Sequence, residues 1–416
     1  MNYFFLVFLM AFLLLLPSVC KAESRPLTIV HVTDLHYISP ALTDRGAAFR
    51  KVISNADGKV MLYSEELLNA FLSEMQELQP DAIIISGDLT FNGETESHKA
   101  LASYLKHLQD EGIHVLVIPG NHDLSYPHAA RFSGNHAEHV DSPNNTEFYE
   151  IWHSFGPDQS ISRDPNSFSY TYALSPKVRV LMLDSHTDLA DNLITDTTLL
   201  WAKEQLRDAK EAGALVISVT HETLLRHNPV FEQGFRLANG ETVAALLEKS
   251  GVLLHLSGHM HIQHITCEKG LTEIVTSSLS VQPCQYGILS FDGESLRYQS
   301  HPTDVSAWAK SQGLTESDLL RFPSYAASFF ASSTLRKAIP KLNSVSNAKE
   351  AIIWMANVNI GYFSGRLSSL KINPSALVLL REHLPFWFVY FDSIRKDLGK
   401  DYTRWSLVLH KTKNQE

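Results

Sequence analysis

The sequence predicts an α/β protein with a largely buried sheet, followed by a helical C-terminal region. Three observations carry this. Short, β-branched-rich apolar runs alternate with amphipathic helical patterns as far as about residue 300. Five of those runs are followed directly by clusters of Asp, Asn and His. From about Thr303 the periodicity becomes helical. Strands interleaved with helices are the pattern of an α/β architecture.

The first element is Phe4–Leu16, an unbroken apolar run followed by Pro17, Ser18 and Cys20-Lys21-Ala22. It is short for a membrane span and suits a signal peptide over residues 1–22, cleaved after Ala22. No Lys or Arg precedes it, and lipid modification at Cys20 or a retained anchor are the other readings. In each case the body of the protein is expected to be exported: secreted, periplasmic or attached to the cell envelope.

Buried strands are expected at Leu27–Val32, Ala82–Ile85, Val115–Ile118, Leu215–Val219 and Val252–Leu256, with others at Val178–Leu183, Glu273–Thr276 and Tyr286–Phe291. Helices are expected over Val60–Leu78, Glu96–Glu111, Thr195–Ala212 and Gly240–Lys249. Tyr37–Lys59 and Leu124–Asn166 break the rhythm as long polar connections, each following a polar cluster, which favours a substrate-shaping role. Helical spacing then covers Thr315–Leu320, Tyr325–Ala338, Ala348–Phe363 and Pro374–Leu398. Asn347 with Glu350 has capping-box spacing, Pro374 suits a first helical position, and Pro385 should break the last helix. The aromatics Phe386, Trp387, Phe388, Tyr390 and Phe391 are expected in the core of a helical subdomain, contact with a membrane interface being the other reading. The domains expected are residues 23–302 and 303–416.

Net charge is −10, unevenly spread. From Val305 onward 15 Lys/Arg face 8 Asp/Glu, against 20 and 37 before it, so a basic tail either packs on an acidic body or meets an anionic membrane or envelope polymer. No specific nucleic-acid binding is expected. Cys267 and Cys284 flank a predicted strand, and an oxidising compartment would permit either a disulfide or two free thiols. Asn144-Asn145-Thr146 is the glycosylation sequon.

The clusters are Asp34-Leu35-His36, Gly87-Asp88, Gly120-Asn121-His122-Asp123, Thr220-His221 and Gly258-His259-Met260-His261. In α/β sheets the ligand crevice lies beyond the carboxyl ends of the strands, so these groups should converge. Asp34 and His36 are two apart, where strand alternation points both to one side, and His259 and His261 repeat the spacing. Gly87 and Gly258 let the backbone turn close to a cation. A mixed oxygen and imidazole donor set suits Mn, Fe, Zn or Ni better than Ca or Mg. One carboxylate bridging two ions about 3.5–4 Å apart is the arrangement of two-metal phosphatases and nucleases, and Asp88 is the bridging candidate. His186 is expected in a supporting or structural role, and Glu222 as a mere neighbour of His221. Tyr126, His128, Arg131, Arg226 and His227 are candidates for substrate contact.

Together Asp34-x-His36, Gly87-Asp88, Gly120-Asn121-His122-Asp123, His221 and Gly258-His259-x-His261 resemble the signature of the calcineurin-like metallophosphoesterase superfamily, over roughly residues 27–300. The resemblance implies a four-layer αββα sandwich of two mixed sheets, here with a C-terminal all-helical subdomain. It also implies a centre of two divalent or trivalent metal ions. Asp34, His36, Asp88 and His261 would hold one ion; Asp88, Asn121, His221 and His259 would hold the other. His122 would be the catalytic histidine that assists the leaving oxygen, oriented by Asp123, while a metal-bridging hydroxide attacks phosphorus. Phe91 and Asn92 depart from the Gly-Asp-x-x-Asp-Arg-Gly motif of Ser/Thr protein phosphatases, and Phe91 replaces the tyrosinate ligand of purple acid phosphatases. The sequence looks more like exported bacterial and cyclic-nucleotide phosphodiesterase-type members. A metal-dependent phosphoester hydrolase is therefore the leading expectation. A phospholipid- or sphingomyelin-headgroup phosphodiesterase is the alternative, and a non-catalytic metal-dependent binding protein a third reading.

Overall fold

The computed structural model describes residues 25–187, 190–342, 345–346 and 348–409. The expected leader with Cys20, and the expected cap at Asn347, lie outside the described residues.

Two large mixed sheets lie face to face. The first orders its strands Arg404–Val408, Ser295–Pro302, Gln285–Phe291, Leu27–Val32, Ala82–Ser86 and His114–Ile118. The second orders His264–Glu268, Leu271–Val275, Leu254–Ser257, Leu215–Val219, Val178–Met182, Tyr170–Ser175 and Ser162–Arg163. Alternation along the strands puts Ile29, Ile84 and Leu116 on an inner face against Val180, Ile217 and Leu254. The opposite face of the first sheet, with Val30, Ile83 and Val117, packs on the helices Ser64–Leu78 and Thr95–Asp110. Leu181 and Val216 of the second sheet meet the helices Asp196–Glu211 and Gly240–Ser250. Each sheet is thus covered on both sides, which is why its central strands read as unbroken apolar runs. The layering is helix, sheet, sheet, helix, as expected.

The C-terminal region is helical but not wholly so. The Pro374–Leu398 pattern splits at Pro385 into helices Pro374–His383 and Pro385–Ile394, because proline lacks the N–H that an interior position must donate. The chain then returns as the strand Arg404–Val408, pairing antiparallel with Ser295–Pro302 at the edge of the first sheet. This corrects the all-helical expectation: five residues of alternating exposure are too short a signal against a basic, helix-rich background. The helices pack against Met260, Ile262 and Val275 through Leu335, Met355, Tyr362 and Phe391, directly beside the Gly258–His261 cluster. Tyr390 and Phe391 are core residues, whereas Phe386 is 67% exposed. Among the described residues no helix is long and apolar enough to cross a membrane.

The long connections are structured. Tyr37–Lys59 carries the helix Ala47–Ile53, and Leu124–Asn166 carries a hairpin (Ala130–Ser133 with His136–His139) and the helix Asn145–Trp152. Phe49, Phe91 and Phe132 clamp them together. Asn144, the sequon residue, caps that last helix by accepting from the N–H groups of Thr146 and Glu147. Cys267 and Cys284 are both free, the first exposed and the second buried.

Four buried histidines make the fold acid-sensitive. Burial lowers His31 and His98 to about 3, and His255 and His264 to about 4. The ring of His31 is hydrogen-bonded between Thr276 and Ser86, and that of His255 between Ser218 and Thr220. Below pH 6.5 the unfolded chain binds protons at these sites while the native chain does not. Stability therefore falls as pH drops from about 6.5 toward 4, by at most about 1.4 kcal/mol per pH unit for each histidine. Buried Glu94, Asp123 and Asp184, raised by burial to about 7, 7 and 6, take up protons over the same range and offset part of this, so the expected Tm declines more gently than the histidines alone dictate. In a variant carrying His31→Asn and His255→Gln, melted from pH 7 to 4, the decline should be shallower.

Candidate metal centre

The five polar clusters meet at one end of the sandwich. Leu27–Val32, Ala82–Ser86 and His114–Ile118 run parallel in the first sheet, and Leu215–Val219 and Leu254–Ser257 run parallel in the second. Each strand therefore ends at the same edge, and each sheet contributes donors across the gap. Backbone bonds tie the turns: Asp34 N–H donates to Gly87 O (3.1 Å), His36 N–H to Asp88 O (2.9 Å) and Gly258 N–H to His221 O (2.9 Å).

The spacing of Asp34 and His36 works differently from strand alternation. Asp34, His36, Asp88, His259 and His261 all have left-handed backbone, with φ of 53°, 45°, 49°, 63° and 58°. Side-chain-bearing residues avoid this region, and holding each there costs about 1–3 kcal/mol, which the surrounding packing must offset. The glycines permit the crowding. Gly87 has φ +97°, and a Cβ there would stand 2.5 Å from His221 Nδ1; a Cβ on Gly120 would collide with Asp88, and one on Gly258 with Thr33.

Two donor groups result. Asp34, His36, Asp88 and His261 form one and Asp88, His221 and His259 the other, each with donor atoms within 4.8 Å of one another. In the first, His36 Nε2 lies 3.5 Å from Asp88 Oδ2 and 3.2 Å from His261 Nε2, which is 3.2 Å from Asp34 Oδ1. In the second, His221 Nε2 lies 3.3 Å from Asp88 Oδ1, 3.1 Å from Asn121 Oδ1 and 3.2 Å from His259 Nδ1. Asp88 belongs to both. Asp34 Oδ1 is buried and takes no well-directed hydrogen bond, the His261 ring nitrogen at 3.2 Å being its near neighbour, an arrangement that a cation between the two would satisfy. The residues present thus fit metal ions.

Neighbouring groups orient these donors. His221 Nδ1 lies 2.7 Å from Ser86 O and His259 Nε2 2.7 Å from Gly234 O, so the opposite ring nitrogens face the centre. Thr33 Oγ1 and His259 N–H both donate to Asp34 Oδ2. Burial opposes ionisation of Asp88, but His221 and His122 outweigh it and hold its carboxyl well below the usual range. Burial likewise opposes charge on His221, but Asp88 prevails and raises it to about 10. A cation entering here must displace that proton, so loading is coupled to proton release.

The structure places the remaining candidates as follows. His122 is half-buried, with Nδ1 3.1 Å from Phe91 O, and Tyr126 stacks on its ring at 4.7 Å. Asp123 does not orient it. Its carboxylate instead accepts from the N–H groups of Leu89, Thr90 and Gly120, fastening two site turns together. Glu222 is more than a neighbour: fully buried, it accepts from Ser185 and pairs with His186, whose ring lies 6.2 Å from that of His221. His227 is buried against His264 and Glu273, away from the centre, and Arg226 is exposed and pairs with Glu232. Sequence reasoning missed Lys59, whose side chain is buried and whose charge reaches Asp88, Asp34 and His122. It sits in an Asn/Asp/Gly-rich stretch that reads as solvated loop. Its burial arises from a bridge between Lys59 and Val281, a contact remote in sequence.

A two-sheet α/β sandwich that gathers such donors at the ends of its parallel strands is the architecture of metal-dependent phosphoester hydrolases. The chain belongs to the calcineurin-like phosphoesterase family, whose profile matches residues 27–263. Residues 304–401 match the C-terminal domain of cyclic nucleotide phosphodiesterase. A probable cyclic nucleotide phosphodiesterase of Vesicomyosocius okutanii is 40% identical over 68 residues, which are 16% of this chain and 28% of that protein. The chain therefore spans under a third of that relative. A 3',5'-cyclic-nucleotide phosphodiesterase of Nostoc is 24% identical over 58% of this chain and 73% of that protein. The glycerophosphodiester phosphodiesterase GpdQ of Enterobacter lignolyticus is 25% identical over 56% and 70%.

Proposed function

We propose that this protein hydrolyses phosphodiesters at a binuclear metal centre held by Asp34, His36, Asp88, Asn121, His221, His259 and His261. The observation that carries the reading is Asp88, whose two oxygens each face a separate donor group. When bound, two cations supply Lewis-acid polarisation of the phosphoryl oxygens and a hydroxide-like nucleophile near neutral pH. The chain's own residues do the rest. His122 stands beside the donors with its ring fixed by Phe91 O and Tyr126; burial lowers it to about 4, and the phosphodiester anion beside it would favour the charged ring that delivers a proton to the departing oxygen. Burial lowers the Lys59 ammonium, with Asp88, Asp57 and Asp34 opposing that shift, and an incoming phosphoryl anion would further favour its charged form. The diester reading is favoured by the names of the relatives, which span cyclic nucleotides and glycerophosphodiesters. The apolar Phe4–Leu16 run supports action outside the cytoplasm.

The test is turnover of bis(p-nitrophenyl) phosphate by the purified protein, before and after chelation and after reloading with Mn²⁺ or Zn²⁺. Turnover lost on chelation and regained on reloading, with close to two ions per chain by elemental analysis, is the expected result. Metal-independent turnover, or none with any ion, removes the proposal. Monoester, cyclic nucleotide and liposomal headgroup substrates in the same panel separate the narrower readings.

A further inference from the structure

The metal centre lies between two unlike cavities. On the side of His259 and His261 is a cavity of about 320 Å³ whose walls include Phe231, Phe235, Phe363, Trp387 and Tyr390. Phe363, Trp387 and Tyr390 come from the helices Ala348–Ser364 and Pro385–Ile394, so the C-terminal region supplies a wall of the site. On the side of His122 is a cavity of about 740 Å³ of mixed lining, where Lys51, Asn55, Lys59, Asn92 and His128 stand among Val52, Ala56, Phe91 and Tyr126, and which is more polar than the first. Asp57 borders both. The first is of a size and lining that accept an apolar organic group, the second a hydroxyl-rich one.

Resting on the diesterase reading above, we infer that the substrate is an asymmetric phosphodiester whose apolar alcohol lies in the aromatic cavity and whose polar alcohol lies beside His122. This placement decides which bond breaks. The oxygen of water joins phosphorus, the P–O bond to the polar alcohol breaks, and that alcohol leaves with a proton delivered from the His122 side. The products are the free polar alcohol and the phosphomonoester of the apolar one. Nothing is oxidised or reduced, and one water is consumed. Trp387 and its neighbours are specificity-determining: aromatic contact area gives the apolar arm a fixed place and leaves the polar arm facing the proton donor.

The experiment uses the metal-loaded full chain and a diester of benzyl alcohol and glycerol, with products assigned by phosphorus NMR and mass spectrometry. Benzyl phosphate plus glycerol should exceed the opposite pair by about tenfold or more. A benzyl diester should also be preferred over its methyl counterpart by about tenfold in kcat/KM, a preference that Trp387→Ala erases. Equal product pairs, inversion to glycerol phosphate plus benzyl alcohol, or a benzyl preference that survives Trp387→Ala overturns the inference. Bis(p-nitrophenyl) phosphate in the same preparation separates the two levels. If it is hydrolysed while the product bias is absent, only this inference fails. If it is not hydrolysed, the diesterase reading fails and this one with it.

Discussion

Replacing Asp88 with Asn is expected to lower phosphodiester turnover by on the order of 10³-fold or more and to leave the purified protein with about one firmly bound cation. The side chain faces His36 with one oxygen at 3.5 Å and His221 with the other at 3.3 Å, and it also accepts the N–H of His122 at 2.9 Å. Asn preserves the shape and one acceptor, so the turn around Gly87 should survive. What it removes is the negative charge that both donor groups share. Without it, the second group keeps only the neutral donors Asn121, His221 and His259. Steady-state rates with bis(p-nitrophenyl) phosphate, alongside elemental analysis, make the check. A variant with two retained ions and near wild-type turnover would show that Asp88 does not bridge.

His122→Ala has the second large effect, and its signature differs. Metal content should be unchanged, because His122 belongs to neither donor group. The kcat for a diester with an alkyl leaving group should fall by roughly 10²–10⁴-fold, the range typical of positioned acid–base groups. With p-nitrophenolate, which departs without needing a proton, the loss should be much smaller. Its ring is held by Phe91 O and stacked on Tyr126, so truncation removes the proton donor without loosening the sheet ends behind it. Equal losses for both leaving groups would point to a structural part for His122 instead.

The fold class and the residues that converge at the sheet ends were legible because both depend on local signals: apolar runs of strand length, each ending in a polar cluster. The backbone geometry that brings them together was not. Strand alternation gave the right side for Asp34 and His36 for the wrong reason, since the left-handed backbone at both residues is imposed by neighbouring turns such as Gly87 and by packing across the two sheets. Asp123 shows the same limit. Adjacency to His122 suggested contact, yet its carboxylate bonds to the backbone of Leu89 and Thr90, more than thirty residues away in sequence. The strands Tyr170–Ser175, His264–Glu268 and Ser295–Pro302 escaped notice as well. They mix polar residues into short runs, and their pairing partners, not their composition, make them strands.

The strand Arg404–Val408 has a consequence for how the molecule can be taken apart. The chain departs from the first sheet at Pro302, winds through every C-terminal helix, and comes back to lie against the strand it left. The helices are therefore not a bead on a tether. They are a long insert whose two ends are clasped by one ladder, unable to swing away while that ladder holds. Separating the polypeptide at Thr303 would bare the outward-facing backbone N–H and C=O groups of Ser295–Gln299 and invite self-association, so the two halves are poor candidates for separate expression.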